Sequence, residues 1–123
     1  MDRTLMYVEL KTGYSDDGPA WIGYVKTSKT GKTVYFNDHG LQRSRGFNSN
    51  YVDVENGDEY WISGVKKRYS NRHWAGSGII QIDKRAVDEF LLLIGEDELP
   101  CWYKPVEIED NYPVERINEL LNS

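Results

Sequence analysis

Apolar and polar residues alternate along the first half of the chain and then give way to a helical period. From Leu5 to Lys11, Met6, Val8 and Leu10 fall on one side and Tyr7, Glu9 and Lys11 on the other. This is the two-residue period of a half-buried strand. Ala20 to Lys26 repeats it, with Trp21, Gly23 and Val25 opposite Ile22, Tyr24 and Lys26. Between them GYSDDGP, residues 13–19, is turn chemistry. Ser28 to Lys32, SKTGK, puts a glycine where a hairpin loop needs a positive φ, so Thr33 to Asn37 returns as the partner strand.

Asp38 to Asn50 is polar and predicts a loop or a short edge strand. Tyr51 to Val54 predicts a short strand, Asn56-Gly57 a turn, and Glu59 to Val65 a further strand. After a polar loop, Lys66 to Gly78, the apolar run Ile79 to Ile82 predicts another strand. The period then changes. Asp83 stands as the N-cap of KRAVDEFLLLI, which Gly95 stops, and Val87, Phe90, Leu91 and Ile94 form one stripe. Glu96 to Asn111 contains Pro100 and Pro105 and is not helical throughout. Pro113 suits the first position of a last helix, with Val114, Ile117 and Leu121 on one face.

Strands followed by helices, joined by tight turns, predict one α+β domain over residues 1–123. The expected architecture is a strongly bent antiparallel sheet or small barrel of about five or six strands, closed by one or two C-terminal helices. The expected core is Met6, Val8, Leu10, Trp21, Val25, Ile62, Ile80, Ile82, Phe90 and Leu91. No βαβ alternation occurs, which speaks against a doubly wound nucleotide fold.

Composition excludes several classes. Hydrophobic residues make up 39% of the chain and aromatics 13%, too much for a disordered segment. The single cysteine, Cys101, allows neither an internal disulfide nor a thiol cluster for zinc, and fits a reducing, cytoplasmic setting. The longest apolar run, Phe90 to Ile94, is too short to cross a bilayer, so no membrane partner is expected. Asp16-Asp17 lacks the spaced oxygen ligands of a calcium loop. No phosphate-cradling glycine motif is present, and neither cofactor nor metal is expected.

Charge is uneven. The net charge of −5 divides into −2 over residues 1–25, +5 over 26–85 and −8 over 86–123. Within the positive middle, EYWISGVKKRYSNRHWAGSG, residues 59–78, gathers Lys66, Lys67, Arg68, Tyr69, Arg72, His73 and Trp74. Cations beside aromatic rings suit phosphates and flat bases. The structural alternative is a long loop whose Trp74 enters the core while its cations stay solvated. Arg43 and Arg45 would extend the same surface if the fold brings them near. His39 and His73 are the only histidines, and no motif supplies either with a nucleophile.

The stretches Tyr7–Asn37, with its GPAW, and Glu59–Gly78, with its RHWAGSG, resemble a family of short bacterial proteins without an assigned activity. Its members often carry the automatic label 1-deoxy-D-xylulose-5-phosphate synthase. The label does not fit here. The synthase so named is a large thiamine-diphosphate enzyme of several domains, and this chain has neither room for its cofactor domains nor a Gly-Asp-Gly segment. It implies a single small domain and supplies no activity.

The residues together predict a non-enzymatic binding domain. Its partner would be an anionic ligand, single-stranded nucleic acid or an acidic protein surface, contacted by Arg43, Arg45 and the basic-aromatic loop. The alternative is a small enzyme acting on a phosphorylated or nucleotide-like substrate, with His73 in acid–base chemistry.

Overall fold

The computed structural model describes residues 3–11, 19–44, 49–65, 79–108 and 112–122. Six strands close into an antiparallel barrel: β1 (Thr4–Lys11), β2 (Ala20–Thr27), β3 (Thr33–Phe36), β4 (His39–Arg43), β5 (Tyr51–Asp53) and β6 (Glu59–Gly64). Each pairs with the next in sequence, and β6 returns to β1 with Val8 opposite Ile62. Closure leaves the barrel without an open edge. The predicted bent sheet or small barrel with C-terminal helices is the fold observed.

Two further strands and two helices extend it. β7 (Ile80–Asp83) pairs in parallel with the first half of β2, and β8 (Tyr103–Val106) in parallel with β7. The second half of β2 pairs instead with β3, so the sheet forks along β2. Asp83 caps a 3₁₀ turn, Lys84–Ala86, by accepting the Arg85 N–H at 2.9 Å. α1 (Val87–Ile94) follows and ends at Gly95, whose φ of +73° fits a left-handed cap. α2 (Val114–Asn122) comes last. The Pro113 carbonyl accepts from the Ile117 N–H at 3.0 Å, so the proline precedes the helix by one residue rather than opening it.

The half-buried reading of β1 needs correction. Val8, Val25, Val34, Phe36, Leu41, Tyr60 and Ile62 fill the barrel. On the opposite face of β1 and β2, Leu5, Tyr7, Ala20 and Ile22 pack against Ile80, Ile82, Ala86, Phe90 and Tyr103. Both faces of this strand pair are therefore covered, one by the barrel lumen and one by β7, β8 and α1. Glu9 lies on the second face at 2% exposure. A carboxylate buried this far needs partners. The Tyr7 hydroxyl and the Lys11 ammonium supply them, the latter at 3.0 Å.

β4 was expected as a loop or edge strand and is instead an inner barrel strand with a neighbour on each side. β8 was not anticipated. Its register leaves Pro105 facing the open side, where a missing N–H costs no ladder bond. Of the expected core, Val8, Val25, Ile62, Ile80, Ile82 and Phe90 are buried. Met6, Leu10, Trp21 and Leu91 are only partly so.

Candidate functional site

Strand direction sorts the charges of the barrel. One end holds the start of β1, the β2–β3 hairpin and the end of β4. The other holds the end of β1 and the β3–β4 and β5–β6 turns. Among the described residues 3–65, the carboxylates Glu9, Asp38, Asp53, Glu55, Asp58 and Glu59 all lie toward the second end. The cations Arg3, Lys26, Lys29, Lys32 and Arg43 lie toward the first. Lys11 is the exception, and it is bound to Glu9.

At the basic end a groove of about 510 Å³ opens between the β2–β3 hairpin and β4, lined by Thr30, Gly31, Lys32, Gln42 and Arg43. The hairpin is shaped by its own short side chains. Ser28 Oγ accepts the Thr33 N–H at 3.1 Å, and the Ser28 carbonyl accepts the Gly31 N–H at 2.9 Å. Gly31 has φ +76° and open space where a Cβ would sit, so glycine is used here for its backbone and not for close packing. The Arg43 N–H donates to the Lys32 carbonyl at 3.1 Å, which fixes the two cationic residues side by side. Among the described residues, Lys29, Lys32 and Arg43 form no ion pair with a carboxylate. The groove thus combines two uncompensated cations with a hydroxyl, an amide and an accessible turn, the donor set that grips oxyanions.

Of the residues the sequence nominated, Arg43 is exposed on this groove. Arg45, Lys66, Lys67, Arg68, Tyr69, Arg72, His73 and Trp74 lie outside the described residues. The stems that precede Arg45 and Lys66 are at the same end, whereas the chain re-enters after the second stretch at β7, whose Ile80 lies beside Ala20 toward the acidic end. The N–H of Ser44, one residue before Arg45, donates to the Asn50 carbonyl at 3.0 Å. Val65, one residue before Lys66, follows the end of β6. The sequence reading missed Lys32, Thr30 and Gln42. SKTGK reads as a turn from its glycine, although Lys29 and Lys32 stand on either side of it.

The chain matches no family model, no curated protein and no solved structure.

A second polar cluster occupies the acidic end. His39 Nδ1 lies 2.9 Å from Asp53 Oδ2. Asp53 is buried, and its other oxygen accepts the Glu55 N–H at 2.9 Å. A carboxylate only accepts, so His39 donates from Nδ1. The imidazole also lies near the Tyr60 ring, at 6.3 Å between centroids. Burial, followed by the charges of Asp53 and Asp58, pushes the Tyr60 hydroxyl up to about 12. This cluster is oriented like an acid–base pair, yet β4 separates it from Arg43 by roughly 13 Å, four residues at strand rise.

Proposed function

We propose that the protein is a binding domain whose basic barrel end contacts a phosphate-bearing partner, with single-stranded nucleic acid as the form that suits an open groove. The observation that carries this reading is the axial separation of charge, which leaves Lys29, Lys32 and Arg43 uncompensated around the groove at one end. An overall charge of −5 disfavours nonspecific duplex binding, so the contact has to be local. Arg45 and the loop of Lys66, Lys67, Arg68, Tyr69, Arg72, His73 and Trp74 extend the contact, their cations to phosphates and their rings to bases.

The enzymatic alternative, with His73 in acid–base chemistry, gains nothing from the described histidine. A phosphorylated substrate needs its imidazole beside the cations, and His39 stands at the opposite end. Fluorescence anisotropy with a labelled single-stranded oligonucleotide tests the proposal. Lys32→Glu with Arg43→Glu abolishes binding on this reading, while Asp58→Asn at the acidic end leaves it intact. Equal binding by all three proteins overturns it.

A further inference from the structure

Arg43 does not stand alone at the basic end. In the β4–β5 register it faces Tyr51, and Tyr51 in turn faces Tyr60 of β6. Directly opposed residues of antiparallel strands share a face, with Cβ atoms roughly 5 Å apart. The bond from the Arg43 N–H to the Lys32 carbonyl continues the same line to the hairpin. Two cationic residues and an aromatic one therefore stand in one rank across the mouth of the barrel. Tyr51 is half-buried: it packs against the barrel core and keeps part of its surface in solvent.

The position of Tyr51 is fixed by its neighbour. The Asn50 side chain clasps the backbone of Ile62, donating to its carbonyl at 2.7 Å and accepting its N–H at 2.8 Å. The Asn50 N–H donates to the Tyr60 carbonyl at 3.0 Å, and the Asn50 carbonyl accepts the Ser44 N–H at 3.0 Å. These bonds tie residue 50 to both β4 and β6, so Tyr51 is preorganised beside Arg43. Two other half-buried rings, Tyr24 and Tyr112, are already engaged. Arg3 sits 4.8 Å from the centre of the first and Lys26 4.8 Å from that of the second. Their hydroxyls donate to Glu89 and to the Tyr24 carbonyl. Among the described residues, Tyr51 has neither a cation over its ring nor a bond to its hydroxyl. A buried tyrosine with a purely structural role usually finds a partner for that hydroxyl.

We propose that Tyr51 is a base-stacking residue of the basic barrel end, so that the site takes a strand bearing nucleobases rather than phosphate alone. The inference rests on the reading of that end as a phosphate contact, and it adds the chemistry that selects among phosphate-bearing partners. A phosphate held by Arg43 leaves its nucleotide's base about one strand spacing away, over Tyr51. Every base has a π face, so stacking there tolerates any sequence. Lys32 and Arg43 supply an attraction that salt weakens, and Tyr51 supplies one that releases no counterions.

The probes are a labelled oligothymidylate and an abasic deoxyribose-phosphate strand of equal length. Wild-type protein should bind the first about tenfold or more tightly than the second. Tyr51→Leu keeps apolar bulk and removes the ring. It should weaken oligothymidylate binding about fivefold or more, and leave both the salt slope and the affinity for the abasic strand unchanged. Tyr51→Phe should bind like wild type. Should Tyr51→Leu not fold, the ring protons of Tyr51 in isotope-labelled wild type, assigned by comparison with Tyr51→Phe, must shift with oligothymidylate and stay in place with the abasic strand. The proposal is overturned by equal wild-type binding of the two strands, by full oligothymidylate affinity in Tyr51→Leu, by equal weakening of both strands in that variant, by lost binding in Tyr51→Phe, or by unmoved ring signals. The charge reading survives each of these results. Failure of wild type to bind either strand removes the charge reading, and this inference with it.

Discussion

Ile117 of α2 closes over Gly40 of β4 with no room for a methyl group between them: a Cβ on Gly40 would lie 2.4 Å from Ile117 Cγ1 and 2.6 Å from Cδ1. Gly40→Ala must push the helix outward. We expect a loss of about 1–3 kcal/mol, the usual cost of overpacking, read from the denaturant midpoint. Hydrogen exchange should rise in α2 and stay unchanged in the barrel strands.

Phe90 is the fully buried side chain of α1 and meets Tyr103 at 5.0 Å between ring centroids. Phe90→Ala should cost about 3–5 kcal/mol, because transfer and cavity terms add. A midpoint change equivalent to less than about 0.5 kcal/mol would mean that α1 is not a structural wall of the second core.

Buried tyrosines make the fold sensitive to alkaline pH. Burial raises the hydroxyls of Tyr24, Tyr35 and Tyr60, the last to about 12, and a hydrogen bond to Glu89 adds to the effect at Tyr24. A pKa higher in the folded than in the unfolded state means that the native form binds more protons between the two values. That stabilisation is complete below about pH 10 and is lost as pH rises toward 12. For Tyr60 it amounts to roughly 3 kcal/mol. Denaturant titrations across this range should show falling stability, and Tyr60→Phe should flatten the fall.

Much of this fold was legible in the chain, and the exceptions have physical causes. The two-residue period marked β1, β2, β3, β5 and β6 because each carries a continuous apolar face. β4 hid because Gly40, Gln42 and Arg43 dilute its pattern, and barrel closure rather than local sequence makes it an inner strand. β8 hid because Lys104 and Pro105 face outward on an open edge. Glu9 read as a solvent-side residue, since alternation cannot reveal that the opposite face of β1 is covered as well.

The candidate site was legible only in part. Arg43 stood out as a cation in the positive middle of the chain. Its neighbour Lys32 is eleven residues away and joins it only through the register Thr33↔Gln42. Nor does composition show which charges share an end of the barrel. That follows from alternating strand direction and pairing, which place Asp38 and Arg43, close in sequence, at opposite ends.

The salt dependence of oligonucleotide binding tests the central claim most directly. Each phosphate contact to a single strand contributes about 0.7 to the slope of log affinity against log salt. Lys32→Ala with Arg43→Ala should therefore lower the slope by roughly 1.4 and weaken binding at every salt concentration. Exposed charges hold little folding energy, so stability should stay within about 1 kcal/mol of wild type. A stable double variant that binds the oligonucleotide with unchanged affinity and unchanged slope would contradict the assignment of the basic barrel end as the contact surface.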